Sequence, residues 1–221
     1  MVFVYDAEII RGPVTKNDGD RIPGKGYASS WVAYEEMGVA VVAGIIVEEM
    51  RPIVFLDDNK REFADKISDC SIACGFNSKR FDIPLLEANG WVDGRVSALL
   101  KSKNYDVYRA IMEGAGLNPN GPPPSGFHYN LDAVASANGF GRKTMDGRMA
   151  PIYWQDGKIG RVVSYCLDDV WKTASLMRLI LDGKPIIDPN TRESLEIEKP
   201  DFVSSMTQMD ISWGTEDVPD I

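Results

Sequence analysis

Two carboxylates in the first apolar strand constrain this chain more than any other feature. Residues 2–9 read Val-Phe-Val-Tyr-Asp-Ala-Glu-Ile, apolar and β-branched apart from Asp6 and Glu8. Successive side chains of a strand alternate between faces, so residues two apart share one. Asp6 and Glu8 therefore face the same side. Like charges buried together are costly unless a cation offsets them. A divalent metal does this directly, whereas an edge strand with its acids in water avoids the problem altogether. The strand's hydrophobicity favours a central position and so raises the metal reading.

The rest of the chain limits which metals and which folds apply. It has 221 residues, enough for one domain, or one domain with a tail. Its single histidine, His128, and three cysteines, Cys70, Cys74 and Cys166, argue against a disulfide scaffold and a conventional zinc site. Reduced thiols point to a cytoplasmic, intracellular protein. The N-terminus carries no basic n-region, so no signal peptide is expected. The longest apolar run, 38–47, is half of what a membrane span needs, and no membrane partner is expected.

Apolar strands are predicted at 2–9, 38–48, 51–57 and 70–76, the second and third close enough to form a hairpin. Helices are predicted at 60–68, 83–88, 106–115, 130–138 and 161–181, with Pro84 tolerated in a first turn. The polar stretch 11–36 reads as a long loop. This order predicts an α/β protein with a mixed central sheet, an antiparallel meander joined by parallel strands and flanked by helices. Domain boundaries follow: a main unit at 1–181, a small hairpin extension at 182–199, and a mobile acidic tail at 200–221.

Net charge is −9, an unfavourable balance for a protein that binds nucleic acid. The charge is concentrated, however. Residues 193–221 hold eight acids and one base, leaving residues 1–192 with a net charge of −2. A body this close to neutral, with cations on its carboxylates, is compatible with a polyanionic substrate.

Two more clusters carry chemistry. Asn77-Ser-Lys-Arg-Phe81-Asp82 runs from a strand into a helix, with Asp82 at or near the helix N-cap. An aspartate there is a favoured cap for structural reasons alone. The neighbouring Phe81 and Asn77 suit stacking on a base and bonding to a sugar or base edge. On the last helix, Tyr165 and Asp169 are four apart and share a face. A surface tyrosine beside a solvated Asp168–Asp169 pair is the plain alternative.

Taken in order, the acidic pair, Asn-x3-Phe-Asp and Tyr-x3-Asp resemble the DEDD superfamily of 3′→5′ exonucleases. The tyrosine marks the DEDDy branch, and the series is most similar to the proofreading exonuclease domains of family-B DNA polymerases. Residues 127–135 resemble the helix before the third motif. Residues 141–157 resemble the linker into it. Val163, Ser164 and Tyr165 occupy the stretch where the histidine branch carries its base.

The resemblance implies an RNase H-like fold with a two-metal site. Asp6, Glu8, Asp82 and Asp169 would be the metal-binding carboxylates, and two divalent ions, Mg²⁺ or Mn²⁺, suit their hard oxygens. Tyr165 would orient the attacking water. Asn77, Phe81 and Lys143 would contact substrate. The substrate would be single-stranded DNA, hydrolysed from its 3′ end to nucleoside 5′-monophosphates. An exoribonuclease is the nearest rival, since the same branch processes RNA. A non-catalytic scaffold for nucleic acid or a polymerase is the rival of another class. The acidic tail is read as a docking segment for a basic protein partner, or as a polyanion mimic in the groove.

Overall fold

The computed structural model describes residues 1–14, 21–142 and 145–201. Lys143 and residues 202–221, the bulk of the acidic tail, lie outside the described residues, as do Lys16, Asp18 and Asp20 of the long loop.

A five-stranded mixed sheet forms the centre, in the order β3-β2-β1-β4-β5. Its strands are β1 (Val2–Ile9), β2 (Val39–Ile46), β3 (Arg51–Phe55), β4 (Ile72–Gly75) and β5 (Asn104–Asp106). The first three form the antiparallel meander, and β1, β4 and β5 pair in parallel. β1 is thus the middle strand, as its apolar sequence requires.

The period of two splits β1 cleanly. Val2 and Val4 pack with Val41, Ala43 and Ile45 under the long helix α8 (Ile159–Leu181), together with α5 (Val107–Gly114) and α6 (Leu131–Ala137). Phe3, Tyr5, Ala7 and Ile9 face the opposite layer. That layer is built by α2 (Lys60–Asp69), α3 (Asp82–Ala88) and α4 (Gly94–Lys103). Phe63 of α2 is its hub, in ring contact with Phe3, Tyr5, Phe55 and Trp91. Gly44 of β2 has no side chain because the Phe3 ring occupies that space: a Cβ there would lie 2.2 Å from the ring.

Several sequence expectations shift. The strand expected at 70–76 is shorter, since Cys70 ends α2 and only Ile72–Gly75 pairs. The helix expected at 106–115 begins one residue later, because Asp106 closes β5 and caps α5. The loop 11–36 ends in a short helix, α1 (Tyr34–Met37), and the stretch read as a linker contains α7 (Ala150–Gln155). No described helix is long and apolar enough to cross a membrane.

Beyond α8, β6 (Ile186–Ile187) and β7 (Ser194–Leu195) form a two-stranded hairpin. Ile186 and Leu195 are buried in the core beneath α8. Asp188 fixes the hairpin's turn. Its carboxylate accepts from Tyr129 Oη at 2.6 Å, Asn190 N at 2.7 Å and Thr191 N at 3.0 Å. Burial alone would raise this carboxyl, but the donors win and hold it below its usual value. Its stabilisation is therefore complete above about pH 3.9 and is lost as the pH falls through the depressed folded value. Asp188→Asn is expected to cost about 2 kcal/mol near neutrality and to lose that difference in acid, measurable by urea melts at pH 7 and pH 2.5.

Candidate active site

The even-numbered face of β1 carries Asp6 and Glu8, both half-buried, toward α8. Across from them α8 presents Tyr165, Cys166 and Asp169, all buried. A ligand atom from each of Asp6, Glu8 and Cys166 lies within 4.8 Å of the others. The Cys166 thiol donates to the Asp6 carbonyl at 3.4 Å and approaches Asp6 Oδ2 at 3.7 Å. Burial pushes that thiol well above its ordinary pKa, and the charges of Asp6 and Glu8 push it the same way, so it stays a neutral donor.

Tyr165 belongs to the same group electrostatically. Burial raises its hydroxyl furthest, followed by the charges of Asp169, Glu8 and Asp6. A hydrogen bond to Asp169 adds to this. The phenol is therefore neutral at any working pH, donating to Asp169. Gly147 makes room for it. A Cβ on that residue would sit 2.7 Å from the Tyr165 hydroxyl, closer than real contacts allow. Sequence reasoning passed over both Gly147 and Cys166. Only Cys166's place directly after Tyr165 could have drawn attention to it.

The neighbouring aspartates of α8 part company. Asp168 forms an ion pair with Lys172, one turn on, whose side chain is 1% exposed. Asp169 turns inward toward Tyr165. Asp168 is thus held by a buried lysine while Asp169 is directed at the candidate site.

Asp82 arrives from the other layer. It is the first residue of α3, and its Oδ1 accepts from the Ala7 backbone N–H at 3.0 Å. The expected helix cap is therefore not made. The parallel pairing of β1 with β4 ends at Val4 and Cys74, which leaves the N–H of Ala7 unmatched by the sheet. Asp82 satisfies it, and so sits beside the one residue that separates Asp6 from Glu8. It does not join the tight set of ligand atoms, and neither does Asp169. Burial pushes the Asp82 carboxyl up to about 7, against the lowering by Ala7 N–H, with the charge of Asp106 also raising it.

Asp106 accounts for Asn77 in structural terms. Its carboxylate accepts from Asn77 N at 2.8 Å and Lys79 N at 3.0 Å while capping α5 at Tyr108 N. Asn77 has φ of 61°, a left-handed conformation that asparagine tolerates better than most residues. Phe81 is half-buried, its ring held edge-on by Trp31 and Tyr34.

Carboxylates approaching across one strand are the donor set a hard divalent cation fits, since bare oxygens this close repel in a half-buried site. Asp6 and Glu8 are the acidic members of the close group; Asp169 neighbours the same thiol, and Asp82 adjoins the strand through the Ala7 N–H.

The family model described as RNase_H superfamily matches residues 35–181. The chain belongs to that superfamily. Its fold is therefore that of a nuclease domain. The match begins after β1, so Asp6 and Glu8 stand outside it. Among solved structures, the family B DNA polymerase from the hyperthermophilic archaeon Pyrobaculum calidifontis shares the fold. The TM-score is 0.59, with 23% identity over 81% of this chain and 24% of that one. The chain spans about a quarter of that polymerase's length. No curated protein matches it.

Proposed function

We propose that this chain is a metal-dependent 3′→5′ exonuclease of the DEDDy type that hydrolyses single-stranded DNA to nucleoside 5′-monophosphates. The observation that carries the reading is the facing of Tyr165 and Asp169 on α8 with Asp6 and Glu8 on β1. Asp6, Glu8, Asp82 and Asp169 would hold two Mg²⁺ or Mn²⁺ ions. When bound, such ions lower the pKa of an attacking water and stabilise charge on the leaving oxygen.

The chain's own groups do the positioning. Tyr165 keeps its proton and donates it to Asp169, which leaves its oxygen lone pairs to accept from a water. That fixes the water's orientation without the tyrosine acting as a base. Water adds to the terminal phosphorus as the bond to the 3′-oxygen breaks, and that oxygen leaves as a hydroxyl. Phe81, braced by two aromatic neighbours, offers its ring to a terminal base. Asn77 would contribute its amide, and Lys143, which lies outside the described residues, would supply a phosphate contact. The catalytic unit would be 1–181, with 182–199 bracing α8 and 200–221 available to a basic protein partner. Three free thiols suit a cytoplasmic setting.

Chromatography of the products tests this reading. A single strand with a free 3′-hydroxyl should yield 5′-monophosphates, and a 3′-phosphorylated strand much less. EDTA should abolish release, and Mn²⁺ should restore it. Release of 3′-monophosphates, or release that persists in EDTA, would refute the mechanism.

A further inference from the structure

Strand β5 is only three residues long, yet it carries two polar side chains on one face. Asn104 and Asp106 are two apart and share a face, while Tyr105 between them packs with the α8 layer. Asp106 pairs with Gly75, the last residue of β4. It therefore stands where the chain leaves the sheet for the turn that leads to Asp82.

The hydrogen bonds of this face go to that turn. Asp106 is 6% exposed, and both of its carboxylate oxygens are engaged. Oδ1 accepts from Asn77 N at 2.8 Å and from Tyr108 N at 3.1 Å, and Oδ2 accepts from Lys79 N at 3.0 Å. A helix cap needs only the bond to Tyr108, and the two shorter bonds are made to the turn instead. Asn104 holds the residue between them. Its Oδ1 accepts from Ser78 Oγ at 3.1 Å and from Tyr5 Oη at 3.2 Å. Ser78 is fully buried in the space that Gly75 leaves open, where a Cβ would lie 2.6 Å from the Ser78 Cβ.

Residues 77–79 are thus fastened to β5, and the rest of the turn closes on them. Asn77 O accepts from Arg80 N and Phe81 N, each at 3.2 Å, and Ser78 O accepts from Ile83 N at 2.9 Å. Asp82 lies between these bonds and its own acceptance from Ala7 N at 3.0 Å.

We infer that Asp106 is a positioning residue for the exonuclease site: with Asn104 beside it, it holds the turn 77–79 so that Asp82 meets β1 between Asp6 and Glu8. The inference rests on the exonuclease reading for the role of Asp82 as a metal ligand. Asp106 touches neither metal nor substrate, and acts through the backbone of the turn.

Uptake of Mn²⁺ without nucleic acid tests it, followed by electron paramagnetic resonance of the free ion. Uptake that Asp6→Ala abolishes is counted as the site's. Asp106→Asn keeps one acceptor oxygen, which at the Oδ1 position still serves Asn77 and Tyr108, so the helix cap survives. Its amide nitrogen faces the Lys79 N–H, donor against donor. This variant should bind Mn²⁺ roughly tenfold more weakly, the lower end of what is lost when a ligand's support is removed. Ser78→Ala loosens the same turn without changing any charge, and should weaken uptake roughly threefold. Asp188→Asn, which destabilises the distant hairpin, should bind Mn²⁺ as wild type does, so lost stability alone does not mimic the effect. Wild-type uptake in both Asp106→Asn and Ser78→Ala would overturn the inference and leave the exonuclease reading standing. A loss in Asp106→Asn alone would assign the effect to its charge and also overturn it. If urea melts show that Asp106→Asn does not fold, Ser78→Ala decides by itself. Wild-type uptake no greater than that of Asp6→Ala would remove the metal site, and the inference with it.

Discussion

Asp169→Asn and Asp168→Asn, one residue apart, are expected to fail in opposite ways. Asp169 is buried beside Tyr165, and its own neighbours Asp6 and Glu8 raise that phenol's pKa, so it is one more negative charge in a crowded acidic site. Asparagine keeps its shape and removes its charge. The variant should lose roughly 10²–10⁴-fold in nuclease rate, the range a positioned catalytic group supplies. Its thermal stability without metal should be unchanged or higher, since a like-charge repulsion is relieved. Asp168 is the partner of Lys172, a buried ammonium. Replacing it leaves that charge without its counter-ion, and breaking such a pair costs about 3–5 kcal/mol. Asp168→Asn should therefore melt early and, while folded, cut at close to the wild-type rate. Urea melts and rates on the same samples separate the two. Equal loss of rate with equal loss of stability would contradict the assignment.

Tyr165→Phe and Gly147→Ala are expected to give the same phenotype by different routes. The first deletes the hydroxyl. The second leaves it in place but sets a methyl 2.7 Å from it, so the phenol must move. If the hydroxyl orients the attacking water, each variant should lower kcat by about 10²-fold with KM little changed. Metal affinity should change much less than kcat in both, since neither replaces a carboxylate. Gly147→Ala is the sharper test, because the chemistry of every site residue is intact. A normal kcat in that variant would mean that the position of the hydroxyl does not matter to the reaction.

What the sequence disclosed and what it hid follow physical lines. The facing of Asp6 and Glu8 follows from a period of two in a strand too apolar to lie at an edge. The α8 face follows from a spacing of four. Both are local, and local periodicity survives folding. The mixed sheet was equally readable, because β1 and β2 are buried along nearly their whole length, whereas β5, three residues long, was missed. Helix α4 was missed because its buried side, Val96, Ser97 and Leu100, is narrow and includes a serine, while Ala98 and Leu99 lie off it. Helix α7 was missed because it is six residues long with proline in its first turn. Asp82 was read as a cap, from propensity. It instead bonds to Ala7, since β4 stops short and leaves a strand N–H to satisfy. That depends on the relative lengths of two strands, which propensity does not encode. The loop after β1 is the extreme case. Its shape is set by Gln155 and Asp156 far along the chain, and no window of sequence around residues 21–31 contains them.

The most direct test of the account is the fate of a 5′-labelled single-stranded DNA oligomer incubated with the protein in Mg²⁺ or Mn²⁺, beside Asp6→Ala and a matched RNA. The account predicts a ladder that shortens one nucleotide at a time from the 3′ end, absent in EDTA and in the variant, with the DNA cut faster than the RNA. A faster RNA ladder would reassign the substrate to RNA and keep the site. DNA and RNA that both stay intact while bound to the folded protein would contradict the account and leave a scaffold that holds nucleic acid without cutting it.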